Sequence, residues 1–123
     1  MNAAPVFLLV EPSLILQSVL HKWLQNTLNH PRILIAENGV KALRLAAQET
    51  PTHVLVEINL PDKTGFEILP QLRHNLPDAK IVATGWFDSS FLLDRIKSTG
   101  VEGYILKDKL ASELLLLWRI PIE

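Results

Sequence analysis

Short apolar runs and longer amphipathic stretches alternate along this chain, and that alternation restricts its fold more than any other feature. Val6–Val10 is a continuous apolar run bounded by Pro5 and Glu11, the pattern of a strand buried on both faces. Ser13 stands at an N-cap position. Leu16, Val19, Leu20, Trp23, Leu24 and Leu28 then share one helical face, and Pro31 stops that helix. Ile33–Ala36 reads as a second strand, which Asn38-Gly39 turns into a helix carrying Ala42, Leu43, Leu45 and Ala46. Val54–Ile58 is the third strand. The loop 59–64 leads into a helix with Phe66, Ile68, Leu69 and Leu72, where Pro70 predicts a kink or a shorter helix. Lys80–Thr84, Ser89–Ser98 and Gly103–Leu106 read as strand, helix and strand, and Leu110–Trp118 as a last helix closed by Pro121.

Strands alternating with helices imply a parallel sheet joined by right-handed crossovers. Five such units in 123 residues suit one α/β domain, 1–123, of the flavodoxin-like doubly wound type. Its five-stranded parallel sheet has the order 2-1-3-4-5, with sites at the carboxyl ends of strands. Glu11, Glu57, Thr84 and Lys107 each end an apolar strand and so converge on one rim.

Bulk properties remove several function classes. The formal charge is −1, without the basic excess that direct nucleic-acid binding uses. With 48% apolar and 20% charged residues, the chain has the composition of a folded domain. There are no cysteines, which removes disulfide scaffolds and thiolate metal sites and fits a reducing compartment. No apolar run reaches the ~20 residues that cross a bilayer, and Met1–Pro5 lacks a signal-peptide start. A soluble cytoplasmic protein is expected. The histidines at 21, 30, 53 and 74 show no metal-ligand spacing, and no glycine-rich phosphate loop or nucleophile–base motif occurs.

Five segments carry a resemblance to the receiver domains of two-component response regulators, extending from Val6 to Trp118. Phe7-Leu8-Leu9-Val10-Glu11-Pro12 resembles the opening strand, in which two acids follow; Glu11 matches the first, and Pro12 stands in place of the second. Ala36-Glu37-Asn38-Gly39-Val40-Lys41-Ala42-Leu43 is similar to the turn into the second helix. His53–Gly65 resembles the phosphoacceptor segment, with Glu57 where the family has aspartate. Ile81-Val82-Ala83-Thr84-Gly85 matches the strand with the phosphoryl-contacting hydroxyl. Gly103-Tyr104-Ile105-Leu106-Lys107 matches the strand with the switch aromatic and lysine.

The resemblance implies a site in which an aspartate takes a phosphoryl group from a kinase phosphohistidine, assisted by Mg²⁺. Glu11, the acceptor carboxylate and the Asn59 carbonyl would be the residual metal ligands. Mg²⁺ needs near-octahedral oxygen ligands, and Pro12 supplies none, so metal binding is expected to be absent or weak. Glu57 carries its carboxylate ~1.5 Å further out than aspartate, and misplacement of ~1 Å costs ~10²-fold in rate. The expectation is an atypical pseudo-receiver that signals through protein contacts, with its phosphorylation chemistry weakened or lost and no enzymatic activity. Glu57 would act as a fixed charge that pairs with Lys107 and draws Thr84 and Tyr104 toward an active-like arrangement.

The competing readings are a working receiver phosphorylated on Glu57 with Mg²⁺, and a flavodoxin-like small-molecule binder using the same rim. The resemblance also implies a docking face on the fourth helix, fifth strand and fifth helix. Trp86, Phe87, Phe91 and Leu92 would offer it to a histidine kinase, an output protein or domain, or a second copy of the chain.

Overall fold

The computed structural model describes residues 4–121; the outermost ends of the expected 1–123 domain, Met1–Ala3 among them, lie outside the described residues. The elements run β1 Val6–Val10, α1 Leu14–Thr27, β2 Arg32–Ala36, α2 Gly39–Glu49, β3 His53–Glu57, α3 Gly65–Asn75, β4 Lys80–Gly85, α4 Ser90–Lys97, β5 Gly103–Leu106 and α5 Leu110–Leu117. A single 3₁₀ turn, Lys107–Lys109, joins β5 to α5. All pairings are parallel and the order is β2-β1-β3-β4-β5, as the alternation predicts.

The pleat sends alternate strand residues to opposite faces. Leu8, Val10, Val54, Val56, Ile81 and Ala83 pack against α2, α3 and α4. Phe7, Leu9, Leu55, Val82 and Ile105 pack against α1 and α5. Burial on both faces explains why the central strands read as unbroken apolar runs. Each fully buried Leu, Ile or Phe side chain adds roughly 1.5–3 kcal/mol of transfer free energy.

Local signals set the helix starts. Ser13, Asn38, Thr64 and Ser89 each accept a backbone N–H of the first turn, satisfying donors that a helix start leaves unpaired. Thr64 forms a capping box with Glu67. Helix α3 runs unbroken through Pro70. Pro70 is exposed, so the bond its missing N–H would have made to Phe66 is lost on the solvent side rather than in the core. Gly65 is required by close packing, since a Cβ there would meet Ile58 Cα at 2.6 Å.

At the amino-terminal edge of the sheet, Arg73 is the hub of a polar network. Its guanidinium donates to Glu102 at 2.5 Å and to the carbonyls of Ala79 and Gly100. Glu102 also accepts the Ile81 N–H at 2.6 Å. The network ties α3 to the starts of β4 and β5, at the end of the sheet opposite Glu11, Glu57 and Lys107.

Trp118 seals the α5 face. It is fully buried, its indole donates to the Val54 carbonyl at 3.1 Å, and its ring packs on Phe7 at 5.3 Å and His53 at 5.6 Å. Burial lowers the His53 pKa, and the charge of Lys80 adds to that. A depressed imidazole pKa means that the unfolded chain binds the proton more readily. His53 therefore contributes stability above about pH 6.5 that is lost as pH falls toward its folded value. Urea unfolding between pH 8 and 5 is expected to show a loss of stability that His53→Phe reduces; equal slopes would refute the assignment.

Candidate functional site

Strand ends bring Glu11 (β1), Glu57 (β3), Thr84 (β4) and Lys107 (after β5) to the carboxyl rim of the sheet. The first three are buried, with Glu11 and Glu57 at 3% and 5% exposure. The Lys107 ammonium lies 2.6 Å from Glu57 Oε1 and also pairs with Glu11 Oε1. Each carboxylate uses its second oxygen in the same way. Glu11 Oε2 accepts the N–H of Ser13 at 2.9 Å, and Glu57 Oε2 accepts the N–H of Asn59 at 3.0 Å.

One ammonium thus serves two carboxylates, and all four carboxylate oxygens are engaged. The site carries a net −1 in a place nearly closed to water. Charges removed from water are tolerated only when paired and hydrogen-bonded, and every contact here meets that demand. Glu57 does not project outward as its extra methylene suggested. The longer side chain folds back onto Asn59 and Lys107.

Thr84 and Tyr104 are not drawn to Glu57. Thr84 Oγ1 donates to the Ile105 carbonyl at 2.7 Å, leaving no hydroxyl proton for the carboxylate. Tyr104 donates to the Phe87 carbonyl at 2.7 Å and lies against Gly85, where a Cβ would meet its hydroxyl at 2.8 Å. Burial pushes the Tyr104 phenol above its ordinary range, and the charges of Glu57 and Asp88 push the same way. Pro12 offers no side-chain donor or acceptor.

A family model described as the response regulator receiver domain matches residues 7–118. The chain belongs to that family.

The curated relatives of this receiver are transcriptional regulators by their printed names. The transcriptional regulatory protein DegU of Brevibacillus brevis is 30% identical over 79 residues, covering 64% of this chain and 34% of its own. YdfI of Bacillus subtilis is 28% identical over 101 residues, covering 82% and 47%. The receiver chain therefore spans between about a third and a half of these relatives. Among solved structures, a Burkholderia pseudomallei response regulator with a phosphorylated aspartic acid superposes with a TM-score of 0.86 at 21% identity, covering 94% of this chain and 67% of its own. The Vibrio cholerae chemotaxis protein CheY4 gives 0.83 at 23%, covering 97% and 100%. At these identities the structural likeness speaks to the fold alone.

The expected docking residues of the receiver separate in the structure. Trp86, Phe87 and Phe91 are 63%, 69% and 75% exposed. Leu92, within α4, is half-buried and packs against the core. Of the large apolar residues of α5, Leu116 is largely exposed, while Leu114 and Leu115, like Trp118 just after the helix, are buried. A helix apolar nearly all round gives no periodic sign of which side faces inward.

Two features of the site lay outside the sequence reading. Asp62, in the loop after β3, accepts the N–H groups of Gly39 at 2.8 Å and Val40 at 3.0 Å, anchoring that loop to the start of α2. Those bonds, that to Gly39 first, hold its carboxyl below the usual range, as expected for an anion at a helix start. Trp86 places its ring 5.8 Å from the Lys107 ammonium, within reach of a cation–π contact. No helix among the described residues is long and apolar enough to cross a membrane.

Proposed function

We propose that this chain is an atypical receiver domain, one unit over 1–123, whose phosphorylation chemistry is weakened or lost and which signals through protein contacts. The observation that carries the reading is the Lys107 ammonium held between Glu11 and Glu57. In this account Glu57 stands at the phosphoacceptor position, Glu11 and Pro12 at the acidic pair, and Thr84, Tyr104 and Lys107 at the phosphoryl-contact and switch positions. The donor set does not suit Mg²⁺. The ion needs several free oxygen ligands, Pro12 brings none, and a metal at Glu11 and Glu57 would have to displace Lys107 from both.

Glu57 is also a poor nucleophile in this setting. Its two oxygens already accept from Lys107 and from the Asn59 N–H, which holds the carboxylate in place and lowers its nucleophilicity. In this reading the glutamate is a fixed, ion-paired anchor between β3 and β5, rather than a switchable acid. Signalling would run through partners docked on the face of α4, β5 and α5, with Trp86, Phe87 and Phe91 as anchors. A histidine kinase, an output domain like those implied by the relatives' names, or a second copy of the chain fits that face. We place the protein in the cytoplasm, with no direct nucleic-acid contact by these residues.

The test is incubation with Mg²⁺ and acetyl phosphate, followed by intact-mass measurement and peptide mapping. The expected result is no adduct at Glu57. A stoichiometric phosphoryl adduct there would overturn the reading in favour of a receiver that works on glutamate.

A further inference from the structure

A cavity of about 230 Å³ opens between α1, α5 and the loop after β4. Leu20 and Leu110 form its buried floor, and Trp23 and Trp86 are among its walls, with the exposed Val19 at the rim. At one end it meets Glu11, Lys107 and Asp108. An apolar hole of ~150 Å³ holds one benzene ring, so this volume matches a fused two-ring molecule. Indole walls favour a flat aromatic face.

The polar end sets the rest of the chemistry. Lys107 Nζ pairs with two carboxylates and Lys107 lines the cavity, and an ammonium has three N–H donors, one more than those pairs use. Glu11, Glu57 and Asp108 outnumber that one ammonium, so an anionic ligand would meet net negative charge. A neutral acceptor such as a carbonyl meets none of that repulsion and can take the third N–H.

We propose that this cavity is a binding site for a small, neutral, planar two-ring aromatic molecule carrying a carbonyl acceptor directed at Lys107. Glu11 and Lys107 belong both to the cavity and to the charge cluster behind it. Occupancy would therefore be felt at the contacts joining β1, β3 and β5, giving the domain a non-covalent chemical input. The proposal stands independently of whether Glu57 accepts phosphate.

The test uses coumarin as probe, with naphthalene and 2-naphthoate as comparisons, followed by NMR of the three indole N–H signals. Coumarin is expected to give saturable shifts at Trp23 and Trp86 and none at Trp118. It should bind at least about tenfold more tightly than naphthalene, the worth of one hydrogen bond from a charged donor, while 2-naphthoate does not saturate. Ala111→Trp, at an exposed position lining the cavity, should abolish the shifts, and Val19→Gln should weaken them. The proposal is overturned if coumarin gives no saturable shift, if Trp118 responds equally, or if both variants bind as the parent does. Equal affinity for coumarin and naphthalene would overturn the contact assigned to Lys107.

Discussion

Replacing Lys107 with methionine is expected to destabilise the fold by about 3–5 kcal/mol, the cost of leaving buried charge without its partner. The reason is the stoichiometry of the site. Glu11 and Glu57 are buried at 3% and 5% exposure, and both are paired with the same ammonium. Without it, two carboxylates face one another out of water. Glu57→Gln is expected to behave quite differently. It leaves Glu11 and Lys107 as a balanced pair and sets an amide NH2 against the Asn59 N–H, a loss of about 1–3 kcal/mol. Urea unfolding of both variants and of the double variant checks the account. Lys107→Met/Glu57→Gln should be more stable than Lys107→Met alone, because one of the stranded charges is gone. Strict additivity would mean that the two side chains are not coupled.

The double variant Pro12→Asp/Glu57→Asp is expected to take up phosphate from acetyl phosphate with Mg²⁺ at least ~10²-fold faster than the parent, the scale set by nucleophile placement. The first substitution would restore an oxygen ligand where proline has none. The second would shorten the acceptor and withdraw it from the Asn59 N–H that now holds Glu57. Glu57→Asp alone should gain little, since the metal still lacks its second acid. Phosphoryl incorporation followed by mass spectrometry separates the three proteins. If the double variant is as inert as the parent, ligand loss and misplacement are not what limits the chemistry.

The sheet was legible because of where its strands lie. β1, β3 and β4 are buried on both faces, so their sequences are plain apolar runs, and the polar residue ending each is conspicuous. The cap Ser13 and the turn at Asn38-Gly39 were visible for the same local reason, and so was the convergence of Glu11, Glu57, Thr84 and Lys107 once the strand order followed. The pairing of Glu57 with Lys107 could be anticipated from that rim. The sharing of Lys107 with Glu11 could not, because it depends on side-chain rotamers across a 96-residue separation. Nor could the hydroxyl of Thr84 be foreseen to choose the Ile105 carbonyl, a partner supplied by the neighbouring strand. The two sides of α5 were left open because apolar residues on short helices carry no mark of direction. Asp62 and Arg73 were overlooked because each acts on backbone groups distant in sequence, and no local motif announces such a bond.

In the function proposed above, Lys107 engages the carboxylate oxygens that a divalent metal would need. The most direct measurement is a Mg²⁺ titration of the unmodified chain, observed at the backbone amides of Ser13 and Asn59, which report on Glu11 and Glu57. Those amides are expected to show no saturable shift over the range that saturates the Pro12→Asp/Glu57→Asp variant. A saturable response of the unmodified chain in the same range would contradict the account, because it would mean that Mg²⁺ enters the site despite Lys107.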